Sequence, residues 1–97
     1  MSRLSASRLR QLRNDIPIAK VIELHLDMPA KLRDGVFRFL CPLCREFNTA
    51  TNSNTNLARC FGCARNFNPI DLVMVVRDCT FLEAVRFLEP IRGPPPR

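Results

Sequence analysis

The chain has 97 residues and a formal net charge of +6, with a pI of about 9.7. At that length it is one small domain with a marginal core, a size usually reinforced by disulfides, a metal or a partner; five cysteines, an odd number, fit a complete disulfide framework poorly. No apolar run approaches the roughly 20 residues of a membrane span, and no apolar stretch follows the basic N-terminus as in a signal peptide. The sequence therefore reads as soluble and cytoplasmic, with reduced thiols, and its basic balance points to a polyanionic partner, most often nucleic acid.

Residues 1–14 are polar and basic, with Arg3, Arg8, Arg10 and Arg13, and form either a short helix or a loose arm. Asp15 has the character of an N-cap, with Pro17 in the first turn. Ile18, Val21, Ile22 and Leu26 then recur at helical spacing, predicting an amphipathic helix over 16–26. His25, the only histidine, falls on its apolar face and is expected to be partly buried. Asp34-Gly35 is a hairpin signal, followed by a strand over 36–40 that runs into the first cysteine pair.

The stretch "NTATNSNTN" has turn formers and no core residues. With Thr49 and Thr51 on one side and Leu57 on the other, it predicts a second hairpin with a polar tip at 52–55. Asn68-Pro69 is a cap followed by proline at the first helical position, which favours a helix at about 69–77. Thr80-x-x-Glu83 is a capping box opening a helix at about 81–88, with Phe81, Ala84, Val85 and Leu88 on one face. "GPPPR", residues 93–97, cannot continue a helix.

The chemistry lies in "CPLCREFNTATNSNTNLARCFGC". Cys41 and Cys44 form one Cys-x-x-Cys pair, and Cys60 and Cys63 the other, at the spacing of a four-cysteine zinc site. Each Cys-x-x-Cys turn presents two sulfurs to one ion, and two turns brought together by a folded-back loop complete a tetrahedron. A closed four-thiolate shell is structural rather than catalytic. Gly62 is expected to supply a positive φ in the second turn. Two motifs at this spacing argue against a thioredoxin-like redox pair, and an iron–sulfur cluster is the other acceptor of four thiolates. Cys79 stands apart, as a small packing residue or a spare thiol.

The order of features, from the capped helix through the strand into "CPLC" and "CFGC" after a hairpin to "NPIDLVM" and "TFLEAVRFL", resembles the N-terminal zinc-binding domain of bacterial DnaG-type DNA primases, the Cys-His-Cys-Cys finger family. The resemblance covers roughly 15–90. It implies an α+β fold: a small zinc ribbon, an antiparallel β-sheet with two Cys-x-x-Cys knuckles, flanked by N- and C-terminal helices, with one structural Zn2+. The layout is then a basic arm or helix at 1–14, the zinc-ribbon domain at 15–92 and a Pro-rich tail at 93–97. The resemblance also implies engagement of single-stranded template and help in choosing the start site, with catalysis in a separate polymerase domain. The chain departs from the family in having Cys44 where a histidine is usual, Phe47 where a lysine often stands, and Ala64 and Phe67 in place of glycines.

The expected function is a zinc-binding module for nucleic acid, with single-stranded DNA as partner in primase-like replication initiation and a replication protein as a further candidate partner. Arg38, Arg45, Arg59 and Arg65 are candidates for phosphates, and Phe47 and Phe61 for stacking on bases. The alternative is a standalone protein-interaction or regulatory zinc ribbon. An enzyme is not expected: Asp71, Asp78 and Glu83 are scattered over cap and helix positions, without the clustered carboxylates that phosphoryl transfer needs. No membrane and no small-molecule substrate are implied. The chain reads as either a piece of a primase or an independent single-domain protein.

Overall fold

A computed structural model describes residues 5–92; the expected tail at 93–97 and the first four residues, Arg3 among them, lie outside these. Ser5 caps α1 (Ala6–Asn14) by accepting the Arg8 N–H on its hydroxyl at 3.0 Å. Thus the N-terminal segment is helical from residue 6 onward. Its Leu12 is fully buried, and Arg8 pairs with Glu89 at 3.1 Å, which ties the first helix to the last.

The second helix departs from expectation. Asp15 does not begin it; its N–H bonds the Gln11 carbonyl and closes α1. Helix α2 (Ile18–Lys20) follows Pro17 at its N-cap, with no cap from a local side chain. It runs into a π-helical segment, Val21–His25, in which the Leu26 N–H reaches the Val21 carbonyl at 2.8 Å. Ile18, Val21 and Ile22 are buried as expected, but His25 is exposed. The wider winding rotates residue 25 away from the face that a regular helix would place it on.

Strands β1 (Ala30–Arg33) and β2 (Val36–Phe39) form a hairpin around Asp34 and Gly35, which sit at φ 53° and 75°. Positive φ at both central residues is the turn that Asp-Gly favours. Strands β3 (Thr49–Asn52) and β4 (Leu57–Cys60) pair antiparallel around a turn at 53–56, and β5 (Arg65–Phe67), not foreseen in the sequence, adds to β4. The two sheets meet through threonines rather than a backbone ladder. The buried Thr49 hydroxyl accepts the Phe39 N–H at 2.8 Å and donates to the Phe39 carbonyl, and the Thr51 hydroxyl donates to the Phe37 carbonyl at 3.1 Å. One hydroxyl thus satisfies both backbone groups of a buried residue, which would otherwise be costly orphans.

Helix α3 (Pro69–Arg77) has the expected Asn68 cap and first-turn proline. Asp71 completes a reciprocal capping box with Asn68. Thr80 and Glu83 exchange the bonds expected of them at the start of α4 (Phe81–Arg92). This helix continues beyond 88, through Pro90. Ile91 packs on the helical core and Glu89 holds Arg8, so tertiary contacts offset the backbone bond that proline removes.

Two apolar clusters result. One is helical and joins Leu12, Ile16, Val21, Ile70, Val73, Ala84, Val85 and Leu88. The other seats Ile18, Ile22 and Leu72 on the inner face of the sheet, against Phe39, Ala58, Phe67 and two cysteines, Cys41 and Cys60. Helix α3 contributes to both, so the cysteine site is continuous with the core. Among the described residues, no helix is long and apolar enough to cross a membrane.

Candidate metal centre and nucleic-acid interface

Strand β2 delivers Cys41 and strand β4 delivers Cys60, so each knuckle starts from a fixed strand end. In the first, Cys41 donates its N–H to the Glu46 carbonyl at 3.0 Å and accepts the Arg45 N–H on its own carbonyl at 2.9 Å. The second is held to the first because Phe61 N–H bonds the Asn48 carbonyl at 2.7 Å. The positive φ of each turn does not fall on Gly62. It falls on the residue after the second cysteine, Arg45 at 64° and Ala64 at 57°. A Cβ on Gly62 would meet Cys44 Sγ at 3.5 Å and Cys60 Sγ at 3.6 Å, ordinary contact distances.

The four sulfurs of Cys41, Cys44, Cys60 and Cys63 lie within 4.8 Å of one another. Cys44 and Cys60 approach to 3.4 Å and Cys41 and Cys63 to 3.8 Å. A tetrahedron with Zn–S of about 2.3 Å has sulfur–sulfur edges of about 3.8 Å. The donor set therefore fits one zinc ion with small adjustments. Cys41 and Cys60 are buried, while Cys44 and Cys63 are partly exposed; the ion would sit at the edge of the core.

The electrostatics of the thiols point the same way. Burial pushes the Cys60 thiol up, but the Cys63 N–H and the neighbouring thiols outweigh it and bring Cys60 down to about 7. Its bond to Cys60 drives Cys44 up to about 12, against a lowering by the Glu46 N–H. Burial, then Cys60 and Cys41, also raise Cys63. Cys60 is thus the more easily ionised of these three thiols, while Cys44 and Cys63 hold their protons against the neighbouring sulfurs. A divalent cation removes that obstacle.

Cys79 is not part of this centre. It is half-buried, with its thiol 3.7 Å from the Val73 carbonyl, and packs against the helical cluster. Cys79→Ser should keep zinc and cost only packing, on the order of 1–2 kcal/mol, whereas Cys44→Ser should lose zinc. Zinc content of the two purified variants checks this, and equal loss in both would contradict the assigned ligands.

The pairing register sorts the remaining candidates. On the inner face lie Phe39, Thr49, Ala58, Cys60 and Phe67. On the outer face Lys31 opposes Arg38, Arg33 opposes Val36, Ala50 opposes Arg59, Asn52 opposes Leu57, and Arg59 opposes Asn66. Among the described residues, no acidic side chain occupies an outer strand position. Val36, Ala50, Leu57, Arg59, Phe61 and Asn66 share a shallow open groove of about 460 Å³.

Arg59 and Phe61 are on this face. The Arg59 guanidinium donates to Asn66 Oδ1 at 3.2 Å and lies 5.7 Å from the centroid of the Phe61 ring, itself 62% exposed. Arg38 shares the face, but spends one N–H on the Thr49 carbonyl at 3.2 Å. Phe47 is 37% exposed, with the Lys31 ammonium 4.6 Å from its ring centroid. Arg45 lines a different groove, with Asp27, Met28, Pro29 and Val76. Arg65 opposes Cys60 and so belongs to the inner, metal-bearing face at its exposed edge.

Lys31, Arg33 and Asn66 were not candidates in the sequence. Alternation in "KLRDGVFRF" carried a signal for the first two, since Lys31 and Arg33 fall in step with Arg38 once the Asp34-Gly35 turn sets the register.

No curated protein matches the chain. Residues 4–93 match the family model of the CHC2 zinc finger, the zinc ribbon of DnaG. With a four-cysteine cluster sized for a single zinc ion on a small α+β ribbon, the chain belongs to the CHC2 zinc finger family of DnaG-type zinc ribbons.

Proposed function

We propose that the chain is a nucleic-acid-binding module that holds single-stranded DNA in primase-like replication initiation and carries no catalysis of its own. The observation behind this reading is the outer face of the sheet. It combines Lys31, Arg33, Arg38 and Arg59 with the exposed Phe61 ring, carries no strand carboxylate, and lies opposite the face that α2 and α3 cover. Cations there take phosphates, the ring takes a base, and zinc holds the knuckle that bears Phe61. A replication protein that performs the synthesis is the natural partner of such a module, and work beside DNA replication fits a cytoplasmic setting.

The test is titration of zinc-loaded protein with single-stranded DNA over a range of salt concentrations. Wild type should weaken steeply, with a log–log slope of about −0.7 per phosphate contact. Replacing Lys31 and Arg59 together by alanine should make the slope shallower by roughly 1–1.5. Arg45→Ala, off this face, should leave it unchanged. Absence of salt-dependent binding by the folded protein would favour the competing reading, a protein-interaction module. Template-dependent primer synthesis by the homogeneous chain would overturn the non-catalytic part.

A further inference from the structure

The groove on the outer face has a chemistry more specific than its charge. Its polar lining consists of Asn52, Ser53, Thr55, Arg59 and Asn66, with the Thr51 hydroxyl already given to the Phe37 carbonyl. Among the described residues, no carboxylate lines it. The two amides have their oxygens occupied. Asn52 Oδ1 accepts the N–H groups of Asn54 and Thr55, at 2.9 and 3.4 Å, and Asn66 Oδ1 accepts from Arg59. Only oxygen can face those donors, so the orientation of each amide follows from chemistry. What remains to both is N–H, without a partner among the described residues. Arg59 adds further N–H groups and has no acceptor to offer. The groove is therefore rich in donors, beside an aromatic ring and an apolar floor of Val36, Ala50 and Leu57.

Resting on the reading of this face as a single-strand binder, we propose that the groove is a subsite for one base bearing ring carbonyls, thymine or uracil. The base stacks on Phe61, and its two carbonyl oxygens take N–H groups from Asn52, Asn66 and Arg59. Thymine and uracil present two carbonyl acceptors. Adenine presents no carbonyl, only ring nitrogens as acceptors, and its exocyclic amine would bring a donor to a donor-lined wall; guanine carries a single carbonyl beside an amine of its own. Cytosine, with one carbonyl and one amine, falls between them. Asn52 and Asn66 are thus specificity-determining residues, whereas Lys31 and Arg38 act on the backbone alike for every sequence.

Anisotropy titrations of the zinc-loaded full chain with labelled 12-mers of dT, dU, dC and dA test this. Wild type should bind dT and dU about tenfold or more tighter than dA, the size of one base-specific hydrogen-bonding contact. Strands of dT are also intrinsically more flexible than strands of dA, so the variants decide. Asn66→Ala removes one donor set. Asn52→Asp removes the other while keeping the oxygen that holds the turn. Each should compress the dT-to-dA ratio to within about threefold, since strand flexibility is common to all proteins tested and the added charge of Asn52→Asp acts on every oligomer alike. Zinc content and the unfolding transition of each variant establish that it is folded. Equal affinity of wild type for dT and dA, or a preference that survives both variants, overturns the subsite while a steep salt dependence preserves the binding face. Loss of all binding in folded wild type overturns both.

Discussion

Removing the metal with a chelator should abolish cooperative unfolding of this chain. Structural zinc in small domains is worth about 10–16 kcal/mol in apparent free energy, and a domain of this size has roughly 5–15 kcal/mol of total stability. The first number is as large as the second, so the metal-free chain has nothing left to hold the ribbon. The placement of the ligands sharpens the argument. Cys41 and Cys60 are fully buried members of the cluster that joins Ile18, Ile22 and Leu72 to the sheet. The knuckles also hold Arg45 and Ala64 at positive φ, which costs on the order of 1–2 kcal/mol per residue. Elemental analysis should give one zinc per chain. Circular dichroism during urea unfolding should lose its sigmoidal transition after chelation. Protons compete with the metal for the thiolates, so lowering the pH should also favour release. A folded, cooperative chain without metal, or one holding iron, would contradict this account.

Asn56→Ala should destabilise the fold by about 2–4 kcal/mol, as much as truncating a buried apolar side chain. Asn56 is 7% exposed and sits in the second hairpin turn. Its Oδ1 accepts the Ile18 N–H at 2.8 Å, capping α2 from the far side of the fold, and its Nδ2 donates to the carbonyls of Arg13 and Ile16 at 2.6 and 2.7 Å. Truncation leaves a helix N–H and a buried carbonyl unpaired. The residue also holds φ 56°, a conformation asparagine tolerates better than alanine. Asn56→Gly separates the two effects, because glycine meets no penalty at that φ. The glycine variant should still lose about 2 kcal/mol or more in urea unfolding. Wild-type stability in that variant would show that the side-chain clamp contributes nothing.

The metal centre, the Asp34-Gly35 hairpin and the two later helices were legible because their determinants are local. Paired cysteines three residues apart can hardly avoid facing one ion, and the caps at Asn68 and at Thr80 with Glu83 act within one helical turn. The second helix was legible as an apolar face but not in the π winding of its C-terminal half, Val21–His25. The candidate interface was legible only in part. Arg59 and Phe61 were named together and lie together, whereas Arg45 and Arg65 were named with them and point elsewhere.

Residue types and short spacings alone determined the candidate zinc ligands and the local caps and turns, while the resemblance of their order to DnaG-type zinc ribbons carried the α+β ribbon and the family. Tertiary structure alone decided which side chains meet across the chain. Asn56 looked like one more polar tip residue, and its role depends on the α1–α2 junction 40 residues away in sequence. Asp15 had the character of a cap, but that carboxylate lost the position to the amide of Asn56. His25 left the apolar face because π winding over 21–25 rotated it outward, and α4 continued through Pro90 because Ile91 and Glu89 had partners on α1 and the helical core. Lys31 and Asn66 joined Arg59 on one face through strand register and the addition of β5. Local rules act through bonds within a turn or two; these outcomes depend on contacts that exist only once the strands and helices have met.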